Sequence, residues 1–227
     1  MATGARKMTM VDSLVDRVYA HLRAEIVNGQ LEAGSKLNIK ALADAYGVSL
    51  IPVREALARL RSTQLVTMET NQGYFVARPL TPDEFSQLFE ARRMLEHSAL
   101  EAGFANATAD DVRDLRRINK KMTGRSVSSG SRQGMITGQH LNNEFHALLV
   151  GLSGNKYLTK MYMDLCFDTV MWRQIPGSDI QWPVIIAEHE AIVAAIEQRD
   201  RDALLSLITK HIESGRKMVS ASIARAG

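Results

Sequence analysis

The sequence of 227 residues contains a single cysteine, Cys166, and no long hydrophobic run. One cysteine cannot form an internal disulfide framework, which favours a chain that stays in a reducing compartment. No apolar stretch approaches the roughly 18–20 residues that a helix needs to cross a bilayer. The basic pair near the N-terminus is not followed by the apolar segment of a secretory signal. We therefore expect a cytoplasmic protein with no membrane partner.

The chain also lacks a strong excess of charge of either sign, since its net charge is +3. The distribution is uneven, because residues 1–80 carry 10 Lys and Arg against 7 Asp and Glu, while residues 81–227 carry 18 of each. All of the positive excess lies in the first third, which indicates a polyanion partner for that part of the chain. Apolar residues make up 45% of the sequence, which is enough for a sizeable core.

The first third of the sequence alternates helical periodicity with turn residues. Residues 11–27 place an apolar stripe on one helical face, and Asn28 and Gly29 follow as a turn. Asn38 can cap a second helix, and Ser49 can cap a third. The runs "LVTME" and "YFVAR" read as strands joined by the turn "TNQG". Three helices followed by a hairpin predict a winged helix-turn-helix domain over residues 1–78.

The third helix has the features of an element that enters the DNA major groove. Val53, Leu57 and Leu60 recur at helical spacing and face the core, which leaves Arg54 on another face. An arginine one turn into a helix can reach a guanine edge or a phosphate, although a single exposed arginine is often only a surface charge. The predicted DNA contacts lie at the start of the second helix, at the start of the third helix and at the tip of the wing: Lys40, Ser49, Leu50, Ile51, Arg54, Asn71, Gln72 and Gly73.

Residues 79–227 contain no convincing strand. The segment "RPLTP" is a natural linker, and Thr81 can cap a helix whose first residue is Pro82. Helical periodicity continues to the end of the chain and predicts a mainly α fold, with an antiparallel bundle of about six helices around a cavity. The predicted helices span roughly residues 82–106, 109–126, 131–152, 155–174, 181–198 and 200–224.

Three of the six histidines have a spacing that indicates a metal site. His189 and His211 lie eleven residues before and after Asp200, the centre of the turn between the last two helices. Residues equidistant from the turn of an antiparallel pair lie at the same height, so the two rings can face each other. His146 and Asn142, four apart, share one face of a third helix. Such a set suits zinc, nickel or another transition metal, although a single histidine on an apolar helix is usually not a ligand.

Residues 11–79 resemble the N-terminal domain of the GntR family of bacterial transcription regulators. The resemblance lies in "ALADAYGVS", "PVREALARL" and "NQGYFVA". The remainder, with "EARRMLEHSALEAG" and "NNEFHALLV", is similar to the FCD effector-binding domain of the FadR subfamily, and six helices indicate its VanR-like branch. Family members often carry Arg-Thr where this chain has Leu50 and Ile51. Apolar contact with thymine methyl groups at these positions would change the operator preference.

The resemblance also implies ligands for a metal ion and for an effector. Metal-binding FCD domains use an aspartate, a histidine four residues later and two further histidines on the last two helices. His146, His189 and His211 match the histidine positions, and Asn142 replaces the aspartate.

Two arginines are the predicted effector-binding residues. Arg92 matches an arginine that points into the cavity of such domains, where it would hold a carboxylate. Its alternative partner is Glu96, four residues later on the same helix. Arg173 is a second candidate of the same kind.

These features predict a transcription regulator rather than an enzyme. The expected protein is a homodimer that binds a pseudo-palindromic operator, acts as a repressor, and responds to a small carboxylate metabolite at a metal-centred pocket. A direct metal sensor is the alternative within the same class. A zinc-dependent hydrolase would need a positioned general base, and the sequence has neither an HExxH motif nor a nucleophile motif.

Overall fold

The computed structural model of the chain describes residues 13–124, 127, 131–174 and 180–226, so the first twelve residues of the predicted N-terminal domain lie outside it. The chain forms two compact units that divide between Arg78 and Pro79. The first unit contains α1 (Leu14–Val27), β1 (Lys36–Leu37), α2 (Ile39–Tyr46), α3 (Leu50–Ser62), β2 (Val66–Glu69) and β3 (Gly73–Val76).

Local capping interactions fix where the helices of the first unit begin and end. Ser13 and Asp16 form a reciprocal capping box at the start of α1. The Asn38 side chain accepts hydrogen bonds from the backbone amides of Lys40 and Ala41, which begins α2 as predicted. Gly47 ends α2 in the left-handed conformation, with φ of 63°, which a residue without Cβ adopts readily.

The sheet of the first unit has three antiparallel strands in the order β1-β3-β2. The predicted hairpin is present, with Val66 opposite Val76 and Glu69 opposite Gly73. The additional strand β1 has two residues, which is too short to show an alternating pattern in the sequence. It pairs with β3 and ties the segment before α2 to the hairpin.

The second unit is helical and is built around α6. Its helices are α4 (Pro82–Gly103), α5 (Ala109–Met122), α6 (Arg132–Gly151), α7 (Lys156–Asp164), α8 (Phe167–Gln174), α9 (Trp182–Glu197) and α10 (Arg201–Ala226). Helix α6 contacts α4, α5, α7 and α8, while α9 packs between α5 and α10. Thr81 caps α4 and Pro82 is its first residue, as predicted. Within the described part of the chain, none of the helices is long and apolar enough to cross a membrane.

One predicted helix of the second unit is divided in two. The periodicity over residues 155–174 continues through the sequence, but the chain turns between α7 and α8, where Cys166 has a φ of 47°. Helical periodicity cannot reveal this break, because both halves keep apolar residues on their buried sides. The described residues therefore contain seven helices here, one more than the six expected for this unit.

Candidate functional site

Two regions carry the predicted functional residues, and the first is the start of α3. Pro52 and Val53 are buried in the first unit, whereas Leu50 and Ile51 are 42% and 67% exposed. Arg54 is exposed, and its side chain forms no hydrogen bond or ion pair within the described residues. The helix therefore presents two apolar side chains and a free cation to solvent, which is an unusual surface unless something covers it.

The other predicted DNA contacts are also accessible. Ser49 is the N-cap residue of α3, but its side chain makes no capping hydrogen bond, contrary to our expectation, so its hydroxyl group remains available. Lys40 is exposed at the start of α2, and the side chains of Asn71 and Gln72 are exposed between β2 and β3. Asn71 has a φ of 62° and Gly73 one of 97°, which close the tight turn at the wing tip.

The second region is a buried cluster of three histidines in the helical unit. His146 comes from α6, His189 from α9 and His211 from α10, and their exposed fractions are 0%, 0% and 5%. Each offers a ring nitrogen, and these ligand atoms lie within 4.8 Å of one another. The Nε2 atoms of His146 and His211 are 3.1 Å apart. Three buried histidines that converge in this way could hold a metal ion.

Two carboxylates orient two of these rings. His146 Nδ1 lies 2.7 Å from Glu96 Oε2, and His211 Nδ1 lies 2.7 Å from Glu188 Oε2. When each Nδ1–H donates to its carboxylate, the Nε2 lone pairs face each other across the short distance. Such lone pairs repel unless a cation lies between them, and carboxylate partners of this kind orient the histidine ligands of metal sites.

Further buried polar atoms around the cluster fit a metal ion. Both ring nitrogens of His189 and the Oδ1 atom of Asn142 have no hydrogen-bond partner among the described residues. The His189 ring is stacked on Phe145, with 3.8 Å between centroids, which fixes its plane. A buried polar atom without a partner costs about 1–3 kcal/mol, and metal coordination would satisfy Asn142 Oδ1 and one of the two His189 nitrogens. The residues present therefore fit the metal that the family resemblance implies.

Burial sets the protonation state of the cluster. It lowers the pKa of His146 and of His189 well below 6.5, and the nearby charges of Arg92 and His211 act in the same direction. Both rings are consequently neutral near pH 7, which is the form that binds a metal. Burial also raises the pKa of Glu96, although Arg92 opposes this shift. The pKa of Glu188 is lowered, because hydrogen bonds from His211 and Ser214 outweigh its partial burial.

A cavity adjoins the histidines and contains Arg92. Its wall includes Arg92, Asn142 and His211 together with apolar side chains of α4, α8, α9 and α10. Arg92 is 3% exposed, donates from Nε to Glu96 Oε1 at 2.5 Å, and lies over the Phe167 ring at 4.0 Å. Arg92 thus forms an ion pair with Glu96, its alternative partner, but this pair is buried and does not lie on the surface of the helix. The Nη2 atom of Arg92 has no partner among the described residues.

The structure does not bring Arg173 to this cavity. Arg173 lies on α8 and is half-buried, which lowers its pKa, but it is not among the residues that line the cavity. Gln139 as a wall residue and Glu96 as a partner of His146 were not predicted from the sequence. No sequence signal joins Glu96 to a residue 50 positions later, because their contact depends on how α4 packs on α6.

A winged helix-turn-helix with an accessible α3, joined to a helical unit with a polar internal site, defines a DNA-binding transcription regulator with a ligand-binding domain. Residues 14–76 match the family "Bacterial regulatory proteins, gntR family", and residues 87–214 match the FCD domain. The chain therefore belongs to the GntR family of transcription regulators, in agreement with the resemblance, and is not an enzyme.

Similar proteins include the Nta operon transcriptional regulator of Aminobacter aminovorans, which is 30% identical over 192 residues, 82% of this chain and 85% of that protein. The transcriptional repressor GlaR of Escherichia coli is 23% identical over 211 residues, 91% of this chain and 96% of that protein. Among solved structures, E. coli McbR/YncC has the same fold, with a TM-score of 0.68 and 21% identity over 93% of this chain and 99% of that chain.

Proposed function

We propose that this protein is a dimeric repressor that binds a pseudo-palindromic operator and releases it when a small carboxylate occupies a metal-centred cavity. The observation that carries the proposal is a set of buried polar atoms of the helical unit that have no partner among the described residues: Arg92 Nη2, Asn142 Oδ1 and the His189 nitrogens. Unpaired burial of such atoms is unfavourable, and a cation with an anionic ligand would pair Asn142 Oδ1, one His189 nitrogen and Arg92 Nη2.

The DNA contacts of this proposal come from α3, α2 and the wing. Arg54 reaches a base edge or a phosphate, while Lys40 and Ser49 contact phosphates. Leu50 and Ile51 contact thymine methyl groups, because their exposed apolar surface cannot hydrogen-bond to a base edge. Asn71, Gln72 and Gly73 approach the neighbouring minor groove. A dimer would place two α3 helices in successive major grooves, which accounts for a palindromic site.

The same histidines could instead make the metal itself the effector. The position of Arg92 favours an organic anion, because its Nη2 atom has no partner among the described residues and a guanidinium group beside a bound cation attracts a carboxylate. In the proposed arrangement His146, His189 and His211, with Asn142, hold zinc or a similar ion, which supplies a fixed positive charge for the anion. The anion then biases the two-state equilibrium of the dimer.

Three measurements test the proposal. A duplex selected from a random pool with the purified protein gives the operator, and elemental analysis gives the metal. Replacement of His189 or His211 by Ala should remove the metal, whereas the exposed His140 replaced by Ala should keep it. Titration of the protein–duplex complex with metal and with carboxylates then separates the alternatives. Release by metal alone would favour the metal sensor, and full metal content in both histidine variants would reject the site.

A further inference from the structure

The cavity beside the histidines has a few polar groups in a mainly apolar wall. Its polar side chains are Arg92, Gln139, Asn142 and His211. The rest of the wall is formed by side chains without hydrogen-bonding groups, among them Phe167, Met171, Ile180, Ile185 and Met218. An anion held at Arg92 would therefore extend its remaining atoms among apolar groups.

Gly215 makes room in this wall. It lies inside α10, where glycine is an unfavourable helix residue, and its backbone has no positive φ that would require glycine. A methyl group on Gly215 would have one neighbouring heavy atom within 4 Å, Phe89 Cε1 at 3.8 Å. Packing therefore does not exclude a larger residue. The missing side chain leaves open space in the cavity, which is the room that a ligand would use.

We propose that the carboxylate taken by this site is a compact apolar acid, and that Gly215 limits the size of its apolar part. The inference rests on the proposed function, which supplies the carboxylate. A hydroxy or polyhydroxy acid would place hydroxyl groups against side chains that cannot accept or donate hydrogen bonds, and burial of such groups is unfavourable. Burial of an aromatic or aliphatic group in the cavity is instead favourable, because its apolar surface is removed from water.

The cavity also limits the ligand's size. Its volume is about 40 Å³, the room of only a few water molecules. Met171 and Met218 line it, and methionine side chains are flexible enough to reshape such a space. A ligand with a ring or a short chain therefore fits after methionine rearrangement, while a long acyl chain does not fit between the fixed aromatic side chains of Phe89 and Phe167.

The test is calorimetric titration of the zinc-loaded full chain with three apolar acids, benzoate, phenylacetate and hexanoate, and three polar acids, lactate, gluconate and citrate. At least one apolar acid should bind about tenfold more tightly than every polar acid, and the neutral amide phenylacetamide should not bind. Tighter binding of a polar acid would overturn this inference and leave the proposed function intact. Failure of all six acids to bind would reject both this inference and the proposed function.

The Gly215→Leu variant tests whether the ligand uses the open space beside Gly215. We expect the variant to bind the preferred apolar acid about tenfold or more weakly, with zinc binding unchanged. Gly151→Leu is the control, because Gly151 ends α6 on the surface and a methyl group there would meet no atom within 4 Å. Unchanged acid affinity in folded Gly215→Leu, judged by circular dichroism, would remove Gly215 from the site.

A second inference comes from a separate contact at the end of α8. The Gln174 side chain is 5% exposed and makes two hydrogen bonds to the backbone of Leu80. Its Oε1 accepts from the Leu80 amide at 2.7 Å, and its Nε2 donates to the Leu80 carbonyl at 3.2 Å. Helix α8 also carries Phe167 and Met171, which line the cavity. A single eight-residue helix thus joins the cavity wall to the segment that follows Pro79.

We infer that Gln174 transmits the state of the cavity to the start of the helical unit. An acid that displaces Met171 moves α8 as a rigid element, and the paired hydrogen bonds move Leu80 with it. Leu80 lies two residues after Arg78, the last residue of the DNA-binding unit. Gln174 is a positioning residue in this scheme, since it contacts neither the ligand nor DNA.

Hydrogen exchange and DNA affinity test Gln174 in the full chain. In the Gln174→Ala variant, the Leu80 amide hydrogen should exchange with solvent at least about tenfold faster. The affinity of the variant for the selected duplex should change about fivefold or more, while its zinc binding stays unchanged. Gln87→Ala, an exposed glutamine on α4, should change none of these. Unchanged Leu80 exchange, or faster exchange with unchanged DNA affinity, would overturn the inference.

Discussion

Glu96 contacts both Arg92 and the histidine cluster of the helical unit. One of its oxygens accepts from Arg92, and the other faces the His146 ring, in a place where the Arg92 and Glu96 side chains are 4% and 0% exposed. Burial of such a pair costs several kcal/mol per ion, and an apolar pair would often be at least as stable. Under the proposed function, Glu96 would orient both the metal ligand His146 and the anion-binding guanidinium group of Arg92, which would explain why the pair is kept inside.

Glu188 provides the cleaner test of carboxylate orientation, because it is only partly buried. We expect Glu188→Gln to weaken zinc binding about 10–100-fold, since the amide no longer fixes the His211 tautomer. Competition with a chromophoric chelator would measure this loss. Glu190→Gln is the control, because Glu190 is an exposed partner of Arg116. Equal zinc affinity in Glu188→Gln and the wild type would show that the hydrogen bond does not support the ligand.

Arg54 is the residue on which specific DNA binding should depend most. We expect Arg54→Ala to weaken binding to the selected duplex by about 1–3 kcal/mol, because a bidentate base contact contributes about that much discrimination. The fold should stay intact, since Arg54 is exposed and packs against nothing in the core. Gel-shift titration at fixed salt measures the loss, with Arg113→Ala in α5 as control. Unchanged affinity would exclude Arg54 as a specificity contact.

Two glycines inside helices should respond oppositely to the same substitution. Gly138 in α6 lies against the Trp182 indole, which a methyl group would overlap, whereas Gly215 in α10 has open space. We expect Gly138→Ala to lower the free energy of unfolding by about 1–3 kcal/mol through overpacking. Gly215→Ala should raise it by about 0.5–1 kcal/mol through helix propensity. Urea denaturation measures both values, and a gain for Gly138→Ala would contradict the packing that surrounds it.

The stability of the metal-free protein should depend on pH through the buried histidines. Burial lowers the pKa of His146 and His189 in the folded state. Below about pH 6.5 the unfolded chain therefore binds more protons than the folded one, and stability falls as the pH falls. We expect a loss of about 2 kcal/mol between pH 6.5 and 5.5, about 1 kcal/mol for each histidine.

Tryptophan fluorescence in urea measures this loss for the helical unit, because both tryptophans of the sequence lie after residue 170. EDTA keeps the protein metal-free during the measurement. His189→Gln should reduce the pH dependence by about half. Stability that stays constant between pH 6.5 and 5.5 would show that folding does not lower the pKa of these rings.

The sequence by itself determined the order of the elements and the set of histidines. Capping side chains fix the starts of α1 and α2, and short-range periodicity and turn residues predict α3 and the hairpin, because these signals act within a few residues. The matched distances of His189 and His211 from Asp200 predicted that the rings would meet, since an antiparallel helix pair converts equal spacing into equal height. The predicted convergence of His146 with them is also present in the fold.

Only the tertiary structure decided what surrounds those histidines. The break at Cys166 separates α7 from α8, and it places Phe167 in the cavity wall instead of on a longer helix. The partners Glu96 and His146 lie 50 residues apart, and Gln174 and Leu80 lie 94 apart. Contacts across such distances follow from how whole helices pack, and the pattern within each helix records only which side is buried.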